Sequence, residues 1–280
     1  MEKIFVLGSG AMGSGIAQTF AQSGFEVVLA DLDEAIVAKA LRGIAGRLER
    51  HVEKEKITAG EKAQIVARIS GTTELAQVAG CAIAIEATLE NMELKKKVFA
   101  ELDSLCAPET ILASNTSSLS ITEIASATRR PENVIGMHFF NPAPVMKLVE
   151  IIRGMKTSQA VFEKTRELSL AIGKEAVEVA EAPGFIVNRM LVPLVNEAVF
   201  ILQEGIASAE DIDTAMKHGA NHPIGPLALG DLIGLDVTLA ILDILYKETG
   251  DAKYRACSLL RKYVRAGSLG RKTGQGFFTY

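Results

Sequence analysis

The segment "HFFNPAPVMKLVEI" places a histidine and a lone acid in an otherwise apolar stretch of the chain. His138 opens the segment, and Glu150 follows twelve positions later. An imidazole exchanges protons near neutral pH, and a carboxylate bonded to one ring nitrogen fixes the tautomer of the ring. If the flanking apolar runs form neighbouring strands, the two side chains face each other and are candidates for proton transfer. Taken singly, they also fit a structural core histidine and a strand-end acid that faces water.

Three glycines follow the first apolar run in the order of a dinucleotide-binding turn. "VLGSGAMGSG" contains Gly8-x-Gly10-x-x-Gly13 between a strand-like segment and a helical stretch. The first glycine permits a tight turn, the second lets the backbone approach a pyrophosphate, and the third allows close helix–strand packing. The N–H groups at the start of the helix favour phosphates, so Ala11 and Met12 are also candidate cofactor contacts. A glycine turn that serves packing alone is the alternative.

An acid stands where a dinucleotide site needs one. Asp31 lies 18 residues beyond Gly13, at the end of the second predicted strand. A carboxylate there can accept hydrogen bonds from the ribose diol of the adenosine and repel a 2′-phosphate. The position therefore predicts NAD rather than NADP as the cofactor.

Strand-like and helix-like segments alternate through the first half of the chain. Short apolar runs alternate with longer charged segments whose apolar residues recur at helical spacing. The predicted strands are 3–8, 26–31, 81–87, 110–115, 133–140 and 147–152, and the predicted helices are 11–23, two within 34–67, and 92–105. This alternation predicts an α/β fold with a Rossmann-type, doubly wound and largely parallel sheet.

The pattern changes near Pro183 and Gly184. Beyond them the apolar residues fall at helical spacing, and the segments 184–205 and 236–250 are apolar around much of their circumference. Such helices are usually buried against other helices, including those of a second subunit. We predict an NAD-binding domain over 1–182 and a smaller all-α C-terminal domain over 183–280.

The bulk composition excludes several classes of partner. The chain is 48% hydrophobic and 23% charged, and its net charge of −4 gives no basic field for nucleic acid or anionic lipid. No apolar run approaches the ~20 residues of a membrane span. Cys81, Cys106 and Cys257 are far apart, and His218 and His222 lack a nearby acid or cysteine, so no metal site is expected. With no secretory signal pattern, the expected location is the cytoplasm.

Six segments together resemble the 3-hydroxyacyl-CoA dehydrogenase family, and in particular its short, single-function bacterial members. The resemblance covers essentially the whole chain. The segments are "GSGAMGSGIAQ", "EATLENMELKK", "SNTSSL", "HFFNPAPVMKLVEI", "PGFIVNR" and "GRKTGQGFF". The resemblance implies an NAD-dependent enzyme that acts on an acyl-CoA thioester, with acetoacetyl-CoA and 3-hydroxybutyryl-CoA as the expected pair, and a homodimer formed through the C-terminal helical domain.

The resemblance also implies residue roles. His138 is the general base toward the 3-hydroxyl of the substrate, Glu150 is its partner, and Ser117 and Asn188 hydrogen-bond the reacting oxygen. The implied cofactor positions beyond the glycine turn and Asp31 are Glu90, Lys95, Asn115, Ser117, Asn141 and Lys272.

One further position matches a coenzyme A contact of the family. Lys54 stands on a long charged helix, and Arg47 and Arg50 precede it at helical spacing. The three cations form a possible basic edge for the phosphates of a thioester substrate. For the two arginines, a solvated helix face is the alternative.

Two other functions are compatible with the fold. A dehydrogenase of free hydroxy acids or sugar acids has the same plan, but some of those relatives use a lysine as the base. A structural or regulatory protein can keep the dinucleotide site without the chemistry. The histidine–glutamate pair disfavours the first alternative, and the joint presence of His138, Glu150, Ser117 and Asn188 argues against the second.

Overall fold

The computed structural model describes residues 2–280. The chain divides into two compact units, Met1–Glu181 and Ala182–Tyr280. The division falls one residue before the boundary expected from the sequence. The first unit holds the sheet, and the second is helical.

The first unit is built on one eight-stranded sheet with the order β3-β2-β1-β4-β5-β6-β7-β8. The strands β1 to β6 run parallel, β7 is antiparallel to β6, and β8 is parallel to β7. The strands are β1 Lys3–Leu7, β2 Glu26–Ala30, β3 Ile69–Thr72, β4 Ile83–Glu86, β5 Ile111–Ser114, β6 Val134–Phe139, β7 Leu148–Arg153 and β8 Glu175–Ala180. Because β1 pairs with both β2 and β4, the strand order reverses there, which is where such sheets bind ligands.

Helices flank this sheet and complete its apolar core. Ile16, Phe20 and Ile44 contribute fully buried side chains from the helices, and Val6 and Ile85 do so from the central strands. The helices are α1 Ala11–Gln22, α2 Glu34–Glu53, α3 Ala59–Ala67, α4 Met92–Leu105, α5 Ile121–Ala125 and α6 Gln159–Ala171. The predicted doubly wound sheet is confirmed, and its predicted helices are present.

The edge strand β3 is absent from the strands predicted from the sequence. Its sequence, "ISGT", has four residues, of which Ser70 and Gly71 are exposed, so it shows no apolar alternation. A Cβ at Gly71 would lie 2.5 Å from Cγ1 of Val37 on α2. Packing against α2 therefore holds β3 at the sheet edge, and this tertiary contact leaves no periodic trace in the sequence.

The second unit is a helical bundle with its own core. Its helices are α7 Val187–Gln203, α8 Ala209–Gly219, α9 Pro226–Ile233, α10 Leu235–Thr249 and α11 Ser258–Arg265. Val199, Leu227 and Leu242 are fully buried in this core. The buried carboxylate of Asp231 on α9 accepts hydrogen bonds from the backbone N–H groups of Phe277 and Phe278 and thereby holds the C-terminal segment. The predicted all-α C-terminal domain is confirmed.

Candidate active site

The glycine turn joins β1 to α1 through two close backbone contacts. Gly8 has φ of +101°, and a Cβ on it would lie 2.5 Å from the carbonyl oxygen of Ala87, just beyond β4. A Cβ on Gly13 would lie 1.7 Å from the carbonyl oxygen of Gly8. Both positions therefore require glycine for the fold itself, as the motif predicts for the turn and for helix packing.

Gly10 differs from the other two glycines in its surroundings. A Cβ at this position would meet no protein atom within 4 Å, so the fold does not demand glycine there. Gly10 is also the N-cap of α1 and provides no side-chain cap. Among the α-helices of residues 2–181, α1 alone begins without a hydrogen bond from its backbone to the side chain of the N-cap residue. Open space before an uncapped helix N-terminus fits the phosphates of a dinucleotide.

Asp31 lies beside the glycine turn at the end of β2. Its Oδ2 accepts a hydrogen bond from the backbone N–H of Ser9 at 2.6 Å, and its Oδ1 accepts one from the N–H of Leu32 at 2.8 Å. The carboxylate is partly exposed. Its position beyond a strand next to β1 fits the ribose-binding acid of a dinucleotide site.

His138 and Glu150 are direct partners in the antiparallel pair of β6 and β7. Nδ1 of the imidazole lies 2.8 Å from Oε2 of the carboxylate. Both residues are buried, with 5% of His138 and 1% of Glu150 exposed. A buried carboxylate on Nδ1 fixes the orientation of the ring and leaves Nε2 as the nitrogen that does not face Glu150.

Phe140 and Asn115 further restrict the position of the His138 ring and of the strand that carries it. The ring of Phe140 lies against that of His138, with centroids 4.5 Å apart. The side-chain oxygen of Asn115, just after β5, accepts a hydrogen bond from the backbone N–H of Phe139 at 2.9 Å. Asn115 therefore ties the end of β5 to the strand that carries the histidine. Asn141 follows as an exposed residue before a cis peptide bond to Pro142.

The turn between β6 and β7 is held by a lysine that no sequence motif marks. Lys174 is buried, and its ammonium donates to the carbonyl oxygens of Ala143 at 2.6 Å and Met146 at 2.8 Å. Burial lowers the pKa of this ammonium below its ordinary value. The same turn packs on α1, where a Cβ at Gly15 would lie 3.2 Å from atoms of Ala143 and Pro144. The segment that carries Asn141 is thus fixed beside the dinucleotide helix.

The serine-rich segment after β5 surrounds the carboxylate of Glu90. Its Oε1 accepts hydrogen bonds from the Thr116 hydroxyl at 2.6 Å, from the Ser117 N–H at 2.9 Å, and from the hydroxyls of Ser117 and Ser118, both at 3.2 Å. Burial opposes ionisation of Glu90, but the Lys95 ammonium and these hydrogen bonds together lower its pKa below the ordinary value.

Lys95 lies beneath this segment rather than on the surface. Its side chain is 1% exposed, and its ammonium lies 2.7 Å from Oε1 of Glu86 and 3.5 Å from Oε2 of Glu90. Glu86, at the end of β4, is fully buried. Sequence reasoning did not select Glu86 or Lys174, although an acid closing the apolar run "CAIAIEA" is a signal for the first.

The remaining predicted positions are on α2 of the first unit and in the second unit. Lys54 is an exposed residue at the C-terminus of α2, while Arg47 is partly buried and donates to the side-chain oxygen of Gln18 on α1 at 2.8 Å. Asn188 and Lys272 belong to the second unit. Asn188 stands in the first turn of α7, and the ammonium of Lys272 is ion-paired with Asp236 at 2.5 Å.

Among residues 2–280, no group of three or more His, Cys, Asp or Glu side chains is arranged to hold a metal ion. Over the same residues, none of the helices combines the length and the apolar character that crossing a membrane requires.

Comparison with known proteins identifies the family. The model of the 3-hydroxyacyl-CoA dehydrogenase NAD-binding domain matches residues 3–182, and the model of the C-terminal domain of that family matches residues 184–280. The chain is 55% identical to 3-hydroxybutyryl-CoA dehydrogenase of Clostridioides difficile over 99% of each chain. It is 51% identical to the probable 3-hydroxybutyryl-CoA dehydrogenase of Bacillus subtilis (strain 168), over 100% of this chain and 98% of that one.

A solved structure agrees with these sequence comparisons. The crystal structure of (S)-3-hydroxybutyryl-CoA dehydrogenase from Ralstonia eutropha matches with a TM-score of 0.97 and 48% identity, over 100% of this chain and 99% of that one. The predicted identity as an NAD-dependent oxidoreductase is confirmed, and NAD is confirmed as the cofactor. The chain belongs to the 3-hydroxyacyl-CoA dehydrogenase family.

Proposed function

We propose that this protein interconverts (S)-3-hydroxybutyryl-CoA and acetoacetyl-CoA, with NAD as the redox partner and His138 as the acid and base. The observation that carries the proposal is the buried contact between His138 Nδ1 and Glu150 Oε2. The substrate is that of the relatives described above, which match over nearly the whole of both chains.

The dyad accounts for the proton in either direction. When bound, NAD supplies the acceptor for the hydride that leaves C3 of the hydroxyacyl group. In oxidation, Nε2 of His138 takes the proton of the 3-hydroxyl, and the resulting imidazolium is stabilised by Glu150. In reduction, the same nitrogen returns a proton to the 3-keto oxygen. Burial of the pair keeps water from competing for that proton.

Ser117 and Asn188 are proposed to hydrogen-bond the reacting oxygen, and Asn141 to act near the nicotinamide. Ser117 is supported by the way Glu90 fixes its segment, through bonds to both the N–H and the hydroxyl. Asn188 is supported by its motif alone, "PGFIVNR", at the start of α7.

Coenzyme A requires cations for its phosphates, and α2 offers a short basic edge. Arg47 is bonded to Gln18 and Ser14 on α1 and so is committed to helix packing. Arg50 and Lys54 are exposed. We assign the phosphate contact to Lys54, with Arg50 as its neighbour on the same helix.

The deciding experiment follows NADH oxidation with acetoacetyl-CoA, beside parallel reactions with NADPH and with free acetoacetate. The proposal expects rapid turnover with NADH and the thioester alone. Equal turnover of free acetoacetate would contradict the assignment of a thioester substrate and favour a dehydrogenase of free hydroxy acids. Tight NADH binding without any turnover would favour a dinucleotide-binding protein that does not catalyse hydride transfer. Dimerisation through the second unit and a cytoplasmic location stay predictions, which gel filtration and cell fractionation test.

A further inference from the structure

Glu86 is a fully buried carboxylate whose two oxygens are both engaged. It stands at the C-terminal end of β4, next to the reversal of strand order. Its Oε1 accepts hydrogen bonds at 2.7 Å from the N–H and the hydroxyl of Thr88 and from the ammonium of Lys95. Its Oε2 accepts one at 2.7 Å from the hydroxyl of Ser114. So many short contacts fix the carboxylate in one orientation.

The charge of Glu86 is balanced by Lys95, which also faces a second carboxylate. Lys95 Nζ is 2.7 Å from Glu86 and 3.5 Å from Glu90, so the closer partner holds the ammonium. A buried ammonium is stable only with a paired charge, and one that loses its nearest carboxylate takes up whatever acceptor it can reach. Within this cluster, that acceptor is Glu90.

Glu90 in turn holds the segment that carries Ser117. Its Oε1 receives the bonds from residues 116–118, while its Oε2 faces Lys95. If Lys95 drew the Glu90 carboxylate inward, these bonds would lengthen or break. The orientation of the serine segment therefore depends on a charge two contacts away.

We propose that Glu86 is a positioning residue for Ser117, acting through Lys95 and Glu90. The inference rests on the proposed function, because it takes Ser117 as a contact of the reacting oxygen. It adds to that function a relay that begins at two buried residues, Glu86 and Lys95, and runs through the partly exposed Glu90 to the substrate side of the site. Ser114 belongs to the same relay, because its hydroxyl donates to Glu86 and accepts from the N–H of Thr116 at 3.2 Å.

The test compares Glu86→Gln with Asp103→Asn. Asp103 is likewise a buried carboxylate paired with a cation, Arg130 at 2.7 Å, and it stands on the same helix as Lys95. Both variants lose stability, but only Glu86→Gln is expected to lower kcat with acetoacetyl-CoA and NADH, on the order of 10- to 100-fold, since small misplacements of a positioned group cost this much. An equal loss of kcat in Asp103→Asn would show that the lower kcat of Glu86→Gln follows from the loss of stability, and it would overturn the proposal.

A double-mutant cycle with Ser117→Ala isolates the relay from any general structural effect. If Glu86 acts through Ser117, then Glu86→Gln lowers kcat by less than about twofold further in the Ser117→Ala background. Multiplicative losses would show that Glu86 acts independently and overturn the proposal. Should Glu86→Gln not fold, Thr88→Val removes one side-chain hydrogen bond from the same carboxylate and takes its place in the cycle.

Hydrogen exchange provides a readout that does not need turnover. Peptides that span residues 115–119 are expected to exchange faster in Glu86→Gln and at the wild-type rate in Asp103→Asn. Unchanged exchange in Glu86→Gln would overturn the proposal. Absence of wild-type turnover with acetoacetyl-CoA would count against the proposed function alone, because the exchange experiment still decides whether Glu86 positions the serine segment.

Discussion

Nδ1 of His138 lies 2.8 Å from Oε2 of Glu150 because the two residues are direct partners across β6 and β7. Side chains at directly opposed positions of an antiparallel pair lie on the same face of the sheet. The register of the two strands therefore sets this geometry. If one strand shifted by one residue, its side chain would lie on the face of the sheet opposite to that of its partner. The eight residues 140–147 between the strands hold that register.

Replacement of Glu150 by Gln is expected to lower kcat by about 10²- to 10⁴-fold, because a neutral amide neither stabilises the imidazolium nor fixes its tautomer. NADH affinity, measured by fluorescence titration, should change little. Glu178→Gln is the matched control, since Glu178 is a strand glutamate paired with Arg153 at the surface. Equal losses of kcat in the two variants would contradict the dyad.

The glycine turn predicts opposite outcomes for two substitutions three residues apart. Gly10→Ala should leave the melting temperature nearly unchanged, because its Cβ meets no protein atom within 4 Å, yet it should raise the Kd for NADH about tenfold or more by filling the phosphate space. Gly13→Ala should lower the free energy of unfolding by about 3 kcal/mol or more, because its Cβ would clash with the Gly8 carbonyl. Unaltered NADH binding in Gly10→Ala would place the pyrophosphate elsewhere.

Cofactor choice is tested by removing one negative charge at either of two neighbouring positions. Asp31→Asn should raise kcat/KM for NADPH relative to NADH about tenfold, because the repulsion of the 2′-phosphate is lost. Asp33→Asn serves as the control, since Asp33 caps α2 through the Ala35 N–H and asparagine caps equally well. The same change of ratio in both variants would assign the effect to net charge rather than to Asp31.

Lys174→Met tests whether the buried lysine holds the β6–β7 turn. The variant leaves the carbonyls of Ala143 and Met146 without this donor, which should cost about 1–3 kcal/mol of local stability. Hydrogen exchange of residues 141–147 should accelerate, and the KM for NADH should rise because Asn141 lies in this turn. Lys147→Met, at an exposed lysine where the same turn ends, should change neither quantity. If residues 141–147 exchanged at the wild-type rate in Lys174→Met, the lysine would not be needed to hold the turn.

The features that could be predicted from the sequence are those whose geometry depends on a local pattern of residues. The glycine turn follows a strand and begins a helix, and His138 and Glu150 lie in two apolar runs joined by a turn. This spacing allowed the two side chains to face each other, and the family resemblance favoured that pairing over a core histidine and a strand-end acid. Glu86 and Lys174 were not predicted as site residues, because each contacts at least one residue that is distant in the chain. Glu86 meets Ser114, and Lys174 meets the turn after β6, only once the sheet has formed. Short edge strands such as β3 are missed for the same physical reason.

The ion pairs of Asp103 predict how stability depends on pH. Burial opposes ionisation of this carboxyl, but hydrogen bonds from Arg129 and the charge of Arg130 lower its pKa below the ordinary value of 3.8. The folded state thus binds the proton less readily than the unfolded chain, and the pair's contribution is fully present above that value. It is lost as the pH falls through the lower folded-state pKa.

Asp103→Asn should therefore cost about 3 kcal/mol at pH 7, where a buried charge pair is broken, and progressively less as the pH falls below 3.8. Urea unfolding of the two proteins between pH 7 and pH 3 measures the difference directly. A difference that narrows as the pH falls below 3.8 is the expected result, because protonation progressively removes the same charge from the wild type. A constant difference across the range would mean that Asp103 stabilises the fold through its shape and neutral hydrogen bonds rather than through its charge.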